Sequence, residues 1–147
     1  MLVALLVACA LHAERSGMVR PEGERVWLDA YQGGRTGLIL GEVGAPIRFL
    51  DGCVVEVVGV LTPAGLVVED WHVRDAGDGS GGFVGLLRTY GGRLAIDDRN
   101  TDAMLLLDDE QVPQLRAYAG NPVLLVGTVI GPGQVRVMAF RVLREGS

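Results

Sequence analysis

The sequence predicts an all-β chain with short helices, folded as two tandem small β-barrels. Three observations carry this. The chain matches itself: residues 47–65 fall on 115–133 without a gap, which sets Arg48 on Arg116, Gly52 on Gly120, Gly59 on Gly127 and Gly65 on Gly133. One inserted residue, Gln134, then brings Leu66, Val68, Trp71 and Val73 onto Val135, Val137, Phe140 and Val142. Spacing identity of this kind points to one supersecondary unit used twice. The second observation is composition. With 22 glycines, 49% hydrophobic residues and only 5% aromatics, the chain suits short Val- and Leu-rich strands joined by tight turns, and it argues against a helical bundle. The third is the order in which strand, turn and helix signals follow one another.

In the first unit, 26–31 reads as a strand, 32–34 as a turn and 36–42 as the next strand. Gly44-Ala45-Pro46 breaks that strand, and Pro46 suits the first turn of a short helix or 3₁₀ segment over 47–51. Residues 53–61 are β-branched and strand-like. Thr62-Pro63-Ala64-Gly65 is a turn, with Pro and Gly in turn-favouring places, and 66–74 is the returning strand. The second unit reads more completely: strands at 83–89, 93–97 and 103–107, a short helix within 111–119 entered through Asp108-Asp109-Glu110, and a closing hairpin of 121–130 with 134–144. The domain boundaries expected are a signal segment at 1–13, a tether at 14–24, a first unit at 25–76, a Gly-rich linker at 77–82 and a second unit at 83–145. By this count the first unit is one strand short.

Strand, strand, strand, helix, strand, strand is the order of an OB-fold, a five-stranded barrel with a helix between its third and fourth strands. Gly59 and Gly127 in mid-strand support it, because a glycine there weakens a strand unless the strand bends sharply or another backbone approaches. Arg93-Leu-Ala-Ile-Asp97, then Leu115, Tyr118, Gly120 and Gly127 at their spacing, and the final Val-rich strand together resemble the small exported OB-fold modules of bacterial envelopes. The resemblance covers 83–143 well and 26–73 less well. It implies a fold and a compartment and leaves the ligand open.

Residues 1–12 form one apolar run, too short for a mature membrane span and about right for a signal-peptide core. Ala8-Cys9-Ala10 is an Ala-x-Ala site, and Leu6-Val7-Ala8-Cys9 also resembles a lipobox, which makes Cys9 the lipidation candidate. No basic residue precedes the run. The expected location is the periplasm or cell envelope, with a lipid anchor at Cys9 as one route to a membrane. If Cys9 is lipidated or removed, Cys53 is left alone, ahead of a Val-rich strand, as an inert thiol.

All 13 basic residues are Arg, and the net charge is −5. That balance works against nonspecific attraction to nucleic acid. An OB-fold reads bases with aromatics on strands two and three, and 36–42, 93–97 and 103–107 contain none. No nucleic-acid partner is therefore expected, and an oligonucleotide- or glycan-binding protein is the first alternative. A calcium-dependent β module is the second. Asp98-x-Asn100-x-Asp102, with Asp109 further on, places hard oxygen donors at alternate positions as an EF-hand does, yet Ala103 stands where the loop needs glycine. These three are weak metal candidates beside the simpler reading, an Asx-rich turn. His72 among Glu69, Asp70 and Asp75 lacks a second histidine. Gly77-Asp78-Gly79-Ser80-Gly81 superficially resembles a serine-protease nucleophile loop, but an extra glycine separates Asp from Ser and no base is indicated. The expectation is a non-catalytic exported binding or scaffolding module, with no catalytic residue and no cofactor, and with an envelope protein or small ligand of unknown identity as partner.

Overall fold

The computed structural model describes residues 11–77 and 81–144. Ten strands form two closed five-stranded barrels. The first contains β1 (Leu11–Glu22), β2 (Arg25–Asp29), β3 (Arg35–Ile39), β4 (Val54–Thr62) and β5 (Gly65–Asp75), in the order β1-β2-β3-β5-β4. The second contains β6 (Gly82–Tyr90), β7 (Arg93–Asp98), β8 (Ala103–Asp108), β9 (Pro122–Gly131) and β10 (Gln134–Val142), in the equivalent order β6-β7-β8-β10-β9. In each, the third and fifth strands pair in parallel and the first and fourth antiparallel, which closes the barrel as in an OB-fold.

The tether expected at 14–24 is instead most of β1. Met18–Glu22 pairs with β2, and Leu11–Met18 pairs with β4 through Leu11↔Leu61 and Ala13↔Gly59. This supplies the strand that the first unit lacked. Leu11, His12 and Ala13, assigned to the signal segment, also belong to β1, whereas 1–10 and with them Cys9 lie outside the described residues. The strand serves two neighbours by turning at Gly17, where a Cβ would stand 2.7 Å from the carbonyl oxygen of Asp29. The same close approach recurs at Gly85, whose Cβ would collide with the carbonyl of Asp97. Of the linker expected at 77–82, Gly82 begins β6, and 78–80 lie outside the described residues.

The short helix or 3₁₀ segment expected at 47–51 is a 3₁₀ segment, Ala45–Phe49, and the short helix expected within 111–119 is also 3₁₀, Pro113–Tyr118. Each has proline in its first turn, where a missing N–H costs nothing. Each buries one aliphatic completely, Ile47 or Leu115, at the base of its barrel. Gly52 and Gly120 then take the chain out with φ of 85° and 93°, a left-handed conformation that costs a glycine little. The β4–β5 turn is held by Thr62, whose Oγ1 donates to the carbonyl of Gly65 at 2.8 Å and accepts from the amide of Ala64 at 3.2 Å.

Alternation along each strand makes the cores. Val55 and Val57 of β4, with Leu66, Val68, Trp71 and Val73 of β5, point inward on Val19, Val26 and Leu28. The second core gathers Leu87, Leu94, Ile96, Leu107, Val123, Leu125 and Val137. Val84, Leu124 and Leu143 of the second barrel pack into the first core cluster, so the barrels share one apolar seam.

Candidate functional site

The strand that completes the first barrel renumbers the others. Arg25–Asp29 is strand two and Arg35–Ile39 is strand three, so Trp27 stands on the face where an OB-fold takes its ligand. The sequence-based expectation of no aromatic there fails for this barrel. Its reason is the unrecognised β1, which made β2 look like a first strand.

Trp27 pairs across the sheet with Gly37, which leaves room for the indole. A Cβ on Gly37 would sit 3.2 Å from the ring. Arg25, two residues before on β2, and Arg35, on β3 opposite Asp29, bring their guanidinium carbons to 4.7 and 4.6 Å from the ring centroid. Both lie within cation–π range. Arg35 is anchored by Glu22, at 3.1 Å from each of two guanidinium nitrogens, and by Asp29 at 3.3 Å. The bidentate bond from Arg35 holds the Glu22 carboxyl below the usual glutamate range. Arg25 donates to the Ala64 carbonyl at 3.5 Å, its one hydrogen-bond acceptor among the described residues. A shallow cleft of about 370 Å³ runs beside them, walled by Arg15, Trp27, Thr36 and Gly65. Tyr31, in the β2–β3 turn, is fully exposed. At the position matched to Trp27 the second barrel has Ala95, and its Met104 stands exposed on β8.

The seam between barrels is polar as well as apolar. Asn100 spans it: its Nδ2 donates to the Val73 carbonyl at 3.1 Å and its Oδ1 accepts from the Val73 amide at 3.1 Å, as a neighbouring strand would. Arg99 lies 4.4 Å from the Trp71 ring and donates to the Trp71 carbonyl and to Asp70. From the other side, Arg141 donates to the carbonyls of Phe49 and Asp51.

These bonds engage two of the metal candidates, Asn100 and Asp98. The Oδ1 of Asn100 that a calcium loop would need is turned to β5. Asp98 is buried, and its carboxylate accepts from the Asn100 amide and the Thr101 hydroxyl. Asp102 sits at φ 58°, a left-handed turn position that Asp tolerates. Among the described residues no group of three or more His, Cys, Asp or Glu is placed to hold a metal ion. His72 lies 3.8 Å from Glu56, which is bound more closely by Arg74 at 2.7 Å. Glu14 shares a hydrogen bond with Glu56, which pushes the Glu14 carboxyl up and Glu56 down. Cys53 is buried, and burial raises its thiol pKa, so it is a poor nucleophile. Ser80 lies outside the described residues.

No family model, curated protein or solved structure matches this chain.

Proposed function

We propose that the chain is a non-catalytic binding or scaffolding module of the bacterial cell envelope, built from one OB-like unit used twice. The observation that carries the binding role is the Trp27 platform, where an aromatic ring is held between Arg25 and Arg35 on strands two and three of the first barrel. The repeated unit is supported by the matched glycines and by the common strand order. Export is supported by the apolar run 1–12 with Ala8-Cys9-Ala10. Leu11, His12 and Ala13 pair with Leu61, Val60 and Gly59 of β4, so cleavage after Ala13 would remove three paired residues, and processing at Cys9 or after Ala10 fits the barrel better. Mass spectrometry of the chain from its native host tests this. An N-terminal diacylglyceryl Cys9 or a free Leu11 is expected. Intact chain in the cytosol contradicts the proposal.

A second reading, single-stranded nucleic acid, is favoured by the same ring. Bases stack on aromatic and guanidinium planes, and Arg15 and Arg25 lie beside it. The net charge of −5 opposes it. Fluorescence anisotropy of a labelled oligonucleotide at low and physiological salt separates the two. Micromolar binding that falls steeply with salt and is lost in Trp27→Ala supports the second reading. No binding at low salt rejects it.

A further inference from the structure

The two barrels treat one matched arginine differently. In the second barrel, Arg116 donates to the Gly92 carbonyl at 3.2 Å and to both carboxylate oxygens of Asp109, at 2.9 and 3.4 Å. In the first barrel, Arg48 makes the equivalent backbone bond, to the Glu24 carbonyl at 3.0 Å. The carboxylate is missing. The segment that supplies Asp109 in the second barrel reads Leu40-Gly41 in the first, and no acid of the described residues pairs with Arg48. A guanidinium that has given one N–H to a carbonyl still offers a fork to a carboxylate.

The space is there to fill. A cleft of about 440 Å³ opens at this end of the first barrel, with Arg48 and Glu24 at its polar side and Val26, Leu38, Leu40 and Phe49 as its apolar wall. That volume falls within the range of small-molecule sites, and an apolar wall with one placed charge is their usual make-up. Gly41, matched to Asp109, turns the chain here at φ 58°, and a Cβ on it would meet nothing within 4 Å.

We propose that this cleft is a binding site for a small organic carboxylate with an apolar body. Its carboxylate takes on Arg48 the place that Asp109 takes on Arg116, and its carbon chain lies along Leu40 and Phe49, the half-exposed part of the wall. The site is separate from the Trp27 cleft and stands whether or not that face binds nucleic acid. Glu24 borders it and opposes the ligand's charge, so the site favours a monocarboxylate over a polyanion.

The test uses the full chain with octanoate as probe, octan-1-ol as its neutral counterpart and octylamine as its cationic one. Heteronuclear NMR follows the Arg48 Nε–H and the Gly41 amide. Octanoate is expected to shift both with a dissociation constant on the order of 0.1 mM, and to bind at least tenfold more tightly than either counterpart. N-acetyl-leucine, standing for a peptide C-terminus, shows by its rank against octanoate which source of carboxylate fits better; binding by either supports the site. Arg48→Met is expected to weaken octanoate at least tenfold, and Glu24→Gln to tighten it. Gly41→Asp sets a competing carboxylate at the cleft, on a left-handed position (φ 58°) that Asp tolerates, and is expected to weaken octanoate at least tenfold while the protein still melts cooperatively, which covers the case in which Arg48→Met fails to fold. Octanoate binding no better than octan-1-ol, or unchanged in Gly41→Asp, overturns the proposal.

Discussion

Gly127 allows the barrel-closing hairpin to coil, and replacing it by alanine is expected to unbalance the second barrel. A Cβ at this position collides with the carbonyl oxygen of Arg136 on β10 and stands 3.0 Å from Cγ1 of Val135. Neither neighbour yields freely. The carbonyl belongs to the β9–β10 ladder, which already carries a bulge beside the Gly127↔Val137 pair, and Val135 is buried. Relief therefore means parting the strands. Losing one or two ladder bonds at about 1 kcal/mol each, with an overpacking cost of about 1–3 kcal/mol, gives roughly 2–4 kcal/mol after the small entropic gain of Gly→Ala. For a chain of this size that lowers the melting temperature by roughly 5–15 °C. Gly131 is the internal control: it lies in the same strand, its φ is not positive, and a Cβ there meets nothing within 4 Å. Gly131→Ala is expected to be neutral or stabilising by up to about 1 kcal/mol. Calorimetric melts of the two variants side by side test the reasoning, and coincident melts would refute it.

Four further outcomes are expected. Asn100→Ala leaves the amide and carbonyl of Val73 without their cross-barrel partner, and is expected to cost about 1–3 kcal/mol and to broaden or split the calorimetric transition as the barrels uncouple. Trp27→Ala is expected to cost no more than about 1–2 kcal/mol, since the ring is half-buried on the outer face and belongs to no core cluster, while abolishing whatever binding anisotropy detects. The raised folded-state pKa of Glu14 means that its contribution to stability is present below the ordinary glutamate range and lost as pH rises through the raised value. Glu14→Gln is thus expected to be more stable than wild type at pH 7 and to converge with it in acid, read from denaturant midpoints. Glu22 runs the other way: its lowered pKa contributes stability above the ordinary range that is lost as pH falls through the folded value, and Arg35→Met is expected to return its carbon-13 titration to that of a free glutamate.

The hairpins and the 3₁₀ segments were legible because their punctuation is chemical: Pro46 and Pro113, the Gly52/Gly120 exits and the Thr62–Gly65 turn all act through local backbone geometry. β1 was not legible because its inward face is almost blank. Residues 11–16 are mostly exposed, Gly17 has no side chain to reveal an alternation, and only Val19 is a large buried residue in the strand. A signal did exist. Met18-Val-Arg20, Gly23, Arg25 and Asp29 match Leu86-Leu-Arg88, Gly91, Arg93 and Asp97 at the offset that carries Arg48 onto Arg116. The match extends to the ion pairs, Arg20–Asp29 at 3.0 Å and Arg88–Asp97 at 2.8 Å. Missing that strand also hid the Trp27 face. The Asn100 bridge had no sequence signature, because a side chain pairing with a distant strand leaves no local pattern.

The placement of β1 decides the rest, since it closes the first barrel and sets Trp27 on strand two. Hydrogen exchange followed by mass spectrometry measures it directly. Amides of Gly17–Arg20 and of Glu22 are expected to be protected together with those of Val54–Thr62, in one cooperative unit. Exchange of 14–22 at the rate of an unstructured chain, with β4 still protected, would restore the tether and contradict the barrel.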